Sequence, residues 1–324
     1  MSKFSSNLAP LMEAMLGYKE ALGYSRQSYE SGMLNFDRFC VGHFPEETCL
    51  TKEIVLKWME KRPSENVGGL RNRARTIRHF GKYLTAIGME AYVLPDNFIG
   101  GRSAYAPYVF SDSELRAFFS AADRTKPRNN TYFNHIVVPV IFRLIYTCGL
   151  RPNEGRELKW QHVNLDTGEI LITGTKHHKE RIVVMSDDML TLCKTYDAKR
   201  AIFACGNEYF FPNPNGGAYT GNWLLNQYKS CWKRANSKDL HNSLPMVRVY
   251  DLRHRFASAT LNRWLDEKKD LYAMLPYLRT YMGHSELSAT AYYIHLLPEN
   301  LVKSAGIDWA KLSALIPEVS EWPE

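Results

Sequence analysis

What the chain lacks narrows its class first. No apolar run approaches the roughly 20 residues that a membrane-spanning helix needs. The longest, residues 136–146, is broken by Pro139 and Arg143 and fits a buried core helix. The N-terminus is polar, so no secretory leader is expected. Six cysteines (Cys40, Cys49, Cys148, Cys193, Cys205, Cys231) carry no CxxC pair and no metal-ligand spacing. They read as reduced, mostly packed thiols of a cytosolic protein, not as a disulfide framework or a zinc site. Internal repeats and low-complexity tracts are missing as well. One absence is local: between Gly68 and Gly88 there is no acidic residue.

What is present is ordinary in bulk and biased in charge. At 324 residues the chain exceeds one average domain, so two are expected. Hydrophobic content of 45% and charged content of 23% suit a globular fold. The net charge of +7 and pI near 9.0 favour a polyanionic partner.

Taken in order, residues 1–92 form a helical domain. Leu8, Leu11, Met12, Met15 and Leu16 recur at helical spacing, and the helix ends near Gly23. Tyr29, Met33, Phe36, Phe39 and Cys40 mark a second helix. Thr51 is placed to cap a third, with Ile54, Val55, Trp58 and Met59 on one face. A fourth spans about 69–87 and carries Arg71, Arg73, Arg75, Arg78 and Lys82. With no acid inside that helix, a salt-bridge ladder along it is excluded, and the basic face reads as a tracker of DNA phosphates. A solvated charged face is the plainer alternative.

Residues 93–108 lose periodicity among Pro95, Gly100, Gly101 and Pro107 and form the linker. A second domain, 109–305, opens on a capping box from Ser111 to Glu114. After the buried helix at 136–148, Gly149 ends one element and Pro152 starts the next. Arg151 sits at that junction and must meet an anion, since burying it unpaired would be costly. Strands at 169–173 and 181–185 frame a hairpin tip with Lys176, His177, His178 and Lys179. Adjacent hairpin histidines point apart and have no evident third ligand, so neither a metal site nor a cofactor is expected. A helix then begins near Val249 and carries Arg253 and His254; because His254 follows Arg253 directly, it is read as pointing elsewhere. Last comes Met282-Gly-His284, with Ser288 as the cap of a helix bearing Tyr292 and Tyr293. Residues 306–324 are a tail.

A tyrosine late in the chain with arginines, a lysine and a histidine suits phosphodiester transfer. Attack by a phenol on a DNA phosphate builds negative charge on non-bridging oxygens, which arginine forks stabilise. A lysine or histidine can protonate the leaving 5′ oxygen. The covalent phosphotyrosine retains the bond energy for religation, so neither metal nor ATP is needed.

Four motifs in order make the chain resemble the tyrosine recombinases, the phage-integrase family, over about 108–297. They are Gly149-Leu-Arg151-Pro-Asn-Glu154; Thr175-Lys176 followed by Lys179-Glu-Arg-Ile-Val; Tyr250-Asp-Leu-Arg253-His254; and Met282-Gly-His284 with Tyr293 nine residues on. The resemblance implies a mainly α fold with a small β-hairpin or sheet. It implies a two-domain, C-shaped clamp: a SAM-like helical core-binding domain and a catalytic domain around double-stranded DNA. By the same resemblance Arg151 and Arg253 would clamp the scissile phosphate. Lys176 would act as general acid, His284 would bond a phosphate oxygen, and Tyr293 would be the nucleophile; Lys179 would contact DNA. Tyr292 competes, but neighbours on a helix are turned by about 100°, and the family's spacing selects Tyr293.

The implied activity is site-specific recombination or integration through a 3′-phosphotyrosine. The implied assembly is a homo-tetramer on two synapsed sites, with an accessory DNA-bending protein as a further class of partner, in the cytoplasm or on the nucleoid. The tail is a candidate in-trans helix, with docking on its own domain as the alternative. One position departs from the pattern: the usual histidine three before Arg253 is Tyr250. A phenol titrates at about pH 10 and is a poor base near neutrality. A type IB topoisomerase and a catalytically silent DNA-binding protein on the same fold are the rival readings.

Overall fold

The computed structural model describes residues 3–99, 107–127, 133–174, 180–237 and 244–296. The hairpin tip with Lys176 and Lys179, and the tail from 306, therefore lie outside the described residues. The chain divides into two compact units, Met1–Tyr105 and Ala106–Glu324.

The first unit packs four helices: α1 (Ala9–Ala21), α2 (Gln27–His43), α3 (Lys52–Trp58) and α4 (Val67–Ala86). Their apolar stripes close one core around Met12, Met33, Phe36, Trp58, Ile77 and Phe80. Thr51 caps α3 by accepting from the Ile54 amide, as its type and place predict. The cap of α4 is Asn66, whose side chain accepts from the Gly69 amide, so the helix starts two residues before the expected point. Arg26 ties α1 to α2 through Glu13, Glu20 and Glu30.

The second unit begins with α5 (Asp112–Asp123), which carries the expected capping box between Ser111 and Glu114. Next come α6 (Asn134–Thr147), buried nearly all round, and the short α7 (Pro152–Arg156). Strands β1 (Glu169–Ile172) and β2 (Arg181–Val184) pair antiparallel, with Ile172 opposite Arg181. Ile170, Ile172 and Val183 face the core while Ile182 and Val184 face out, the alternation of a half-buried hairpin. A single bridge, Val163 to Ile170, extends the sheet on its other edge.

Helices α8 (Asp187–Phe203), α9 (Gly221–Ala235), α10 (Tyr250–Asp266), α11 (Leu271–Met282) and α12 (Ser288–Ala291) follow, and a 3-10 turn, Tyr292–Leu296, comes last. α10 and α11 pack the turn into a small apolar cluster of Ala257, Leu261, Leu275, Met282 and Ile294. Two local expectations fail here. Ser288 lies inside α12 and bonds Glu286 without capping, and the two tyrosines ride on the tighter turn. The fold is therefore mostly helical with a small antiparallel sheet, as expected.

Candidate active site

Gly149 ends α6 in the left-handed conformation, φ +60°, and turns the chain into α7. That turn sets Arg151 at the mouth of a cavity of about 890 Å³, together with Tyr250, Gly283 and His162. Arg151 donates to Glu154 at 2.8 Å and to the Gly283 carbonyl at 2.7 Å. Glu154 returns a cap by accepting from the Arg151 amide. The anion demanded of the sequence junction is thus Glu154, three residues on.

Glu154 also takes a two-pronged fork from Arg181 on β2, at 2.9 and 2.7 Å. Burial pushes the Glu154 carboxyl up, but the Arg181 guanidinium outweighs it and, with the Arg151 amide and side chain, holds the group at about 2. Nothing in the sequence singles out Arg181, because its partner lies 27 residues away across the hairpin.

Arg253 on α10 is fully buried. It donates to the Gly149 carbonyl at 2.6 Å, to the Met282 carbonyl at 2.5 Å and to His284 Nε2 at 3.1 Å. Among the described residues the carboxylate oxygen it pairs with is on Glu154, at 4.0 Å. Three arginines thus hold three consecutive carbonyls at the end of α11: Arg181 takes Tyr281, Arg253 takes Met282, and Arg151 takes Gly283. Those carbonyls have no partner within a helix and carry its negative end, so cations belong there. Only one carboxylate, Glu154, pairs with these three guanidiniums among the described residues. The surplus positive charge is a ready place for an anion.

His284 follows Gly283, which takes φ +65° at the end of α11. Arginine can only donate, so His284 Nε2 accepts from Arg253, and Nδ1 carries the proton toward Thr290 Oγ1 at 2.8 Å. Burial, then Arg253 and Arg151, pushes the imidazole down to about 3, so it is neutral at pH 7. Tyr293 is 2% exposed and its ring lies 6.0 Å from that of His284, nearly parallel. Burial raises its phenol strongly, against the pull of Arg253 and Arg151. Burial raises the Tyr292 phenol as well; it is the Tyr293 hydroxyl that lies beside Arg253.

Arg151, Arg253, His284, Tyr250 and Tyr293 therefore gather at one place, while Lys176 lies outside the described residues. The Tyr250 hydroxyl faces Arg151. His254 is a correction. Its ring does not point away but lies 5.5 Å from Tyr293 and 5.0 Å from Tyr250. Among the described residues no three histidine, cysteine or acidic side chains group as metal ligands.

The basic helix α4 is less uniform than its sequence suggests. Arg71, Arg75, Arg78 and Lys82 recur at i, i+4, i+7 and i+11 and share a stripe, whereas Arg73 is turned to the other side. Arg73 forks to Glu65 and also bonds the Trp58 carbonyl, fastening α3 to α4. Arg78 bonds the Leu94 and Pro95 carbonyls and pairs with Asp96, as does Lys82 at 3.6 Å. The acids missing from the helix are supplied from its two flanks. Arg71 and Arg75 have no ion pair among the described residues.

The model of the phage integrase family matches residues 109–300. The protein assigned as integrase/recombinase y4rB of Sinorhizobium fredii is 26% identical over 311 residues, 93% of this chain and 96% of that protein. The tyrosine recombinase XerC of Xanthomonas axonopodis is 27% identical over 164 residues, 50% of this chain and 48% of its own length. Among solved structures, the XerH site-specific recombinase bound to palindromic difH substrate has a TM-score of 0.62 at 18% identity, covering 93% of this chain and 84% of its own. The Tn1549 transposon integrase in complex with transposon right end DNA also reaches 0.62, at 14% identity, covering 94% and 99%. These two likenesses concern the fold. With more than half of its length matched by the family model, the chain belongs to the phage integrase family, the tyrosine recombinases, enzymes that break and rejoin DNA.

Proposed function

We propose that this protein is a site-specific recombinase that cuts and rejoins duplex DNA through a 3′-phosphotyrosine on Tyr293. The observation that carries the reading is the convergence of Tyr293, His284, Arg253 and Arg151 around one net-positive spot. In this reading Arg151 and Arg253 take the non-bridging phosphate oxygens, and Lys176 protonates the leaving 5′ oxygen. His284 bonds a phosphate oxygen. To donate from Nε2 it must lose Arg253 as its partner, and the Thr290 hydroxyl, able to donate or accept, then turns to hold Nδ1. Arg253 and Tyr293 are both buried, so the DNA must shift the turn Tyr292–Leu296 to reach them.

The finer architecture belongs to the same proposal. The unit 1–92 acts as the SAM-like core-binding domain, 93–108 as linker and 109–305 as catalytic domain, closing as a C-shaped clamp on duplex DNA. XerH and the Tn1549 integrase were each solved with DNA, which supports that partner. Four protomers would synapse two sites, with an accessory DNA-bending protein where the site requires one. The tail 306–324 would dock on a neighbouring protomer.

The test mixes wild-type protein or Tyr293→Phe with a supercoiled plasmid carrying the DNA that flanks this gene, then quenches with SDS. An adduct at one position, absent from the variant, is expected. Adducts scattered over the plasmid with relaxation would replace the reading by a topoisomerase. Tight binding with no adduct would favour the silent binder that the tyrosine at position 250 brings to mind.

A further inference from the structure

Three aromatic rings other than Tyr292 meet or neighbour Tyr293, and their nitrogen and oxygen atoms are unequally engaged. His284 has both ring nitrogens hydrogen-bonded, one to Arg253 and one to Thr290. Tyr250 offers a hydroxyl and no imidazole lone pair. His254 lies between the two tyrosines, 5.0 Å from Tyr250 and 5.5 Å from Tyr293 by ring centre. Its Nδ1 is buried and has no hydrogen-bond partner among the described residues. Leaving such an atom idle costs free energy, and a site retains that kind of cost where the atom has work in another state. His254 also stands one helical turn after Tyr250, so both residues share a face of α10.

We propose that His254 supplies the function of the histidine missing at position 250, accepting the phenolic proton of Tyr293 as it attacks. The inference rests on Tyr293 being the nucleophile. In cleavage the Tyr293 oxygen forms its bond to phosphorus and passes its proton to the His254 ring. The bond from phosphorus to the 5′ oxygen breaks, and that oxygen leaves with a proton from Lys176. Rejoining runs backward: the incoming 5′-hydroxyl gives its proton to the Lys176 amine, and His254 returns its own to the departing Tyr293 oxygen.

The electrostatics fit this cycle. Burial, then Arg253 and Arg248, pushes His254 down to about 4, so the ring is neutral and its lone pair open at pH 7. A phosphate on Arg253 would offset those cations and raise the proton affinity of the ring just as Tyr293 must lose its proton.

The test uses the full-length protein and the DNA site to which wild type becomes joined. His254→Gln is expected to bind that DNA and melt as wild type does, yet to form the adduct about 10²–10⁴-fold more slowly, the usual span for a lost general base. Replacing the scissile 5′ oxygen by sulfur, a better leaving group, removes the need for the acid only. It should restore Lys176→Ala and leave His254→Gln slow. Adding Tyr250→His to His254→Gln should return part of the rate, which a merely structural role for His254 does not predict. Adduct formation by His254→Gln within ~3-fold of wild type, or full rescue by sulfur, overturns the proposal. If glutamine prevents folding, His254→Asn is read by the same criteria. A wild type that joins no DNA overturns the nucleophile assignment instead, a result distinct from an active wild type with an indifferent His254 variant.

Discussion

The site depends on how few negative charges hold its cations, and that balance turns on Glu154. Its side chain is 8% exposed and its carboxyl lies well below its ordinary value of 4.5, at about 2. The folded value is the lower of the two, so the stabilisation is complete above about pH 4.5 and is lost as pH falls toward 2. Its size is roughly 3 kcal/mol. Glu154→Gln should abolish that acid-dependent loss and cost about 3–5 kcal/mol at pH 7, because Arg181 would be left buried without a counter-charge. Denaturant unfolding of both proteins between pH 7 and pH 3 measures it. A variant as stable as wild type at pH 7 would mean that the arginines need no carboxylate. Sequence reached Arg151 and its need for an anion, since both lie within one four-residue turn. It did not reach Arg181, whose place opposite Ile172 depends on strand register. It also misjudged His254. Adjacent helical residues are rotated by about 100°, but the turn carrying Tyr293 spans the gap between Arg253 and His254 and faces both.

Among elements, the ends of α6 and α11 matter more than their lengths. Each ends at a glycine with positive φ, and Arg253 bonds a carbonyl at both ends. At Gly149 an added Cβ would come within 2.4 Å of Phe256 Cδ1, in a conformation that L-residues avoid. Overpacking and the left-handed backbone together predict a cost of about 2–4 kcal/mol for Gly149→Ala. The same change displaces the carbonyl that holds Arg253, so adduct formation should fall further than the folded fraction does. Comparing an unfolding curve with the adduct rate per folded molecule separates the two effects, and proportional losses would reduce Gly149 to a packing role. The apolar pattern made the four helices of the first unit and the buried α6 readable in advance, and Thr51 and Ser111 were readable as caps. The last elements were not, because α12 is a single turn and the apolar cluster decides its geometry, with no contribution from a Ser288 cap.

For the whole molecule, the net charge of +7 announces a polyanionic partner but does not say which cations meet it. The basic run of α4 looks uniform in sequence, yet the structure divides it. Arg73 fastens two helices, and Arg78 holds the chain at 94–96. Arg71 and Arg75 stay unpaired among the described residues, on the same stripe as Lys82. That division was hidden because Glu65 and Asp96 lie outside the acid-free stretch that the sequence draws attention to. It predicts two classes of variant in the full-length protein. Arg71→Ala and Arg75→Ala should keep the melting temperature and weaken DNA binding at every sequence alike. They should also flatten the plot of log affinity against log salt by roughly 0.9 for each phosphate no longer neutralised. Arg73→Ala should leave that slope intact and lower stability, since it abandons the partly buried Glu65 carboxylate and the Trp58 carbonyl. Salt titrations of DNA binding, run beside thermal melts, distinguish the classes. An unchanged slope in both Arg71→Ala and Arg75→Ala would take α4 off the DNA and return its cations to the role of a solvated face.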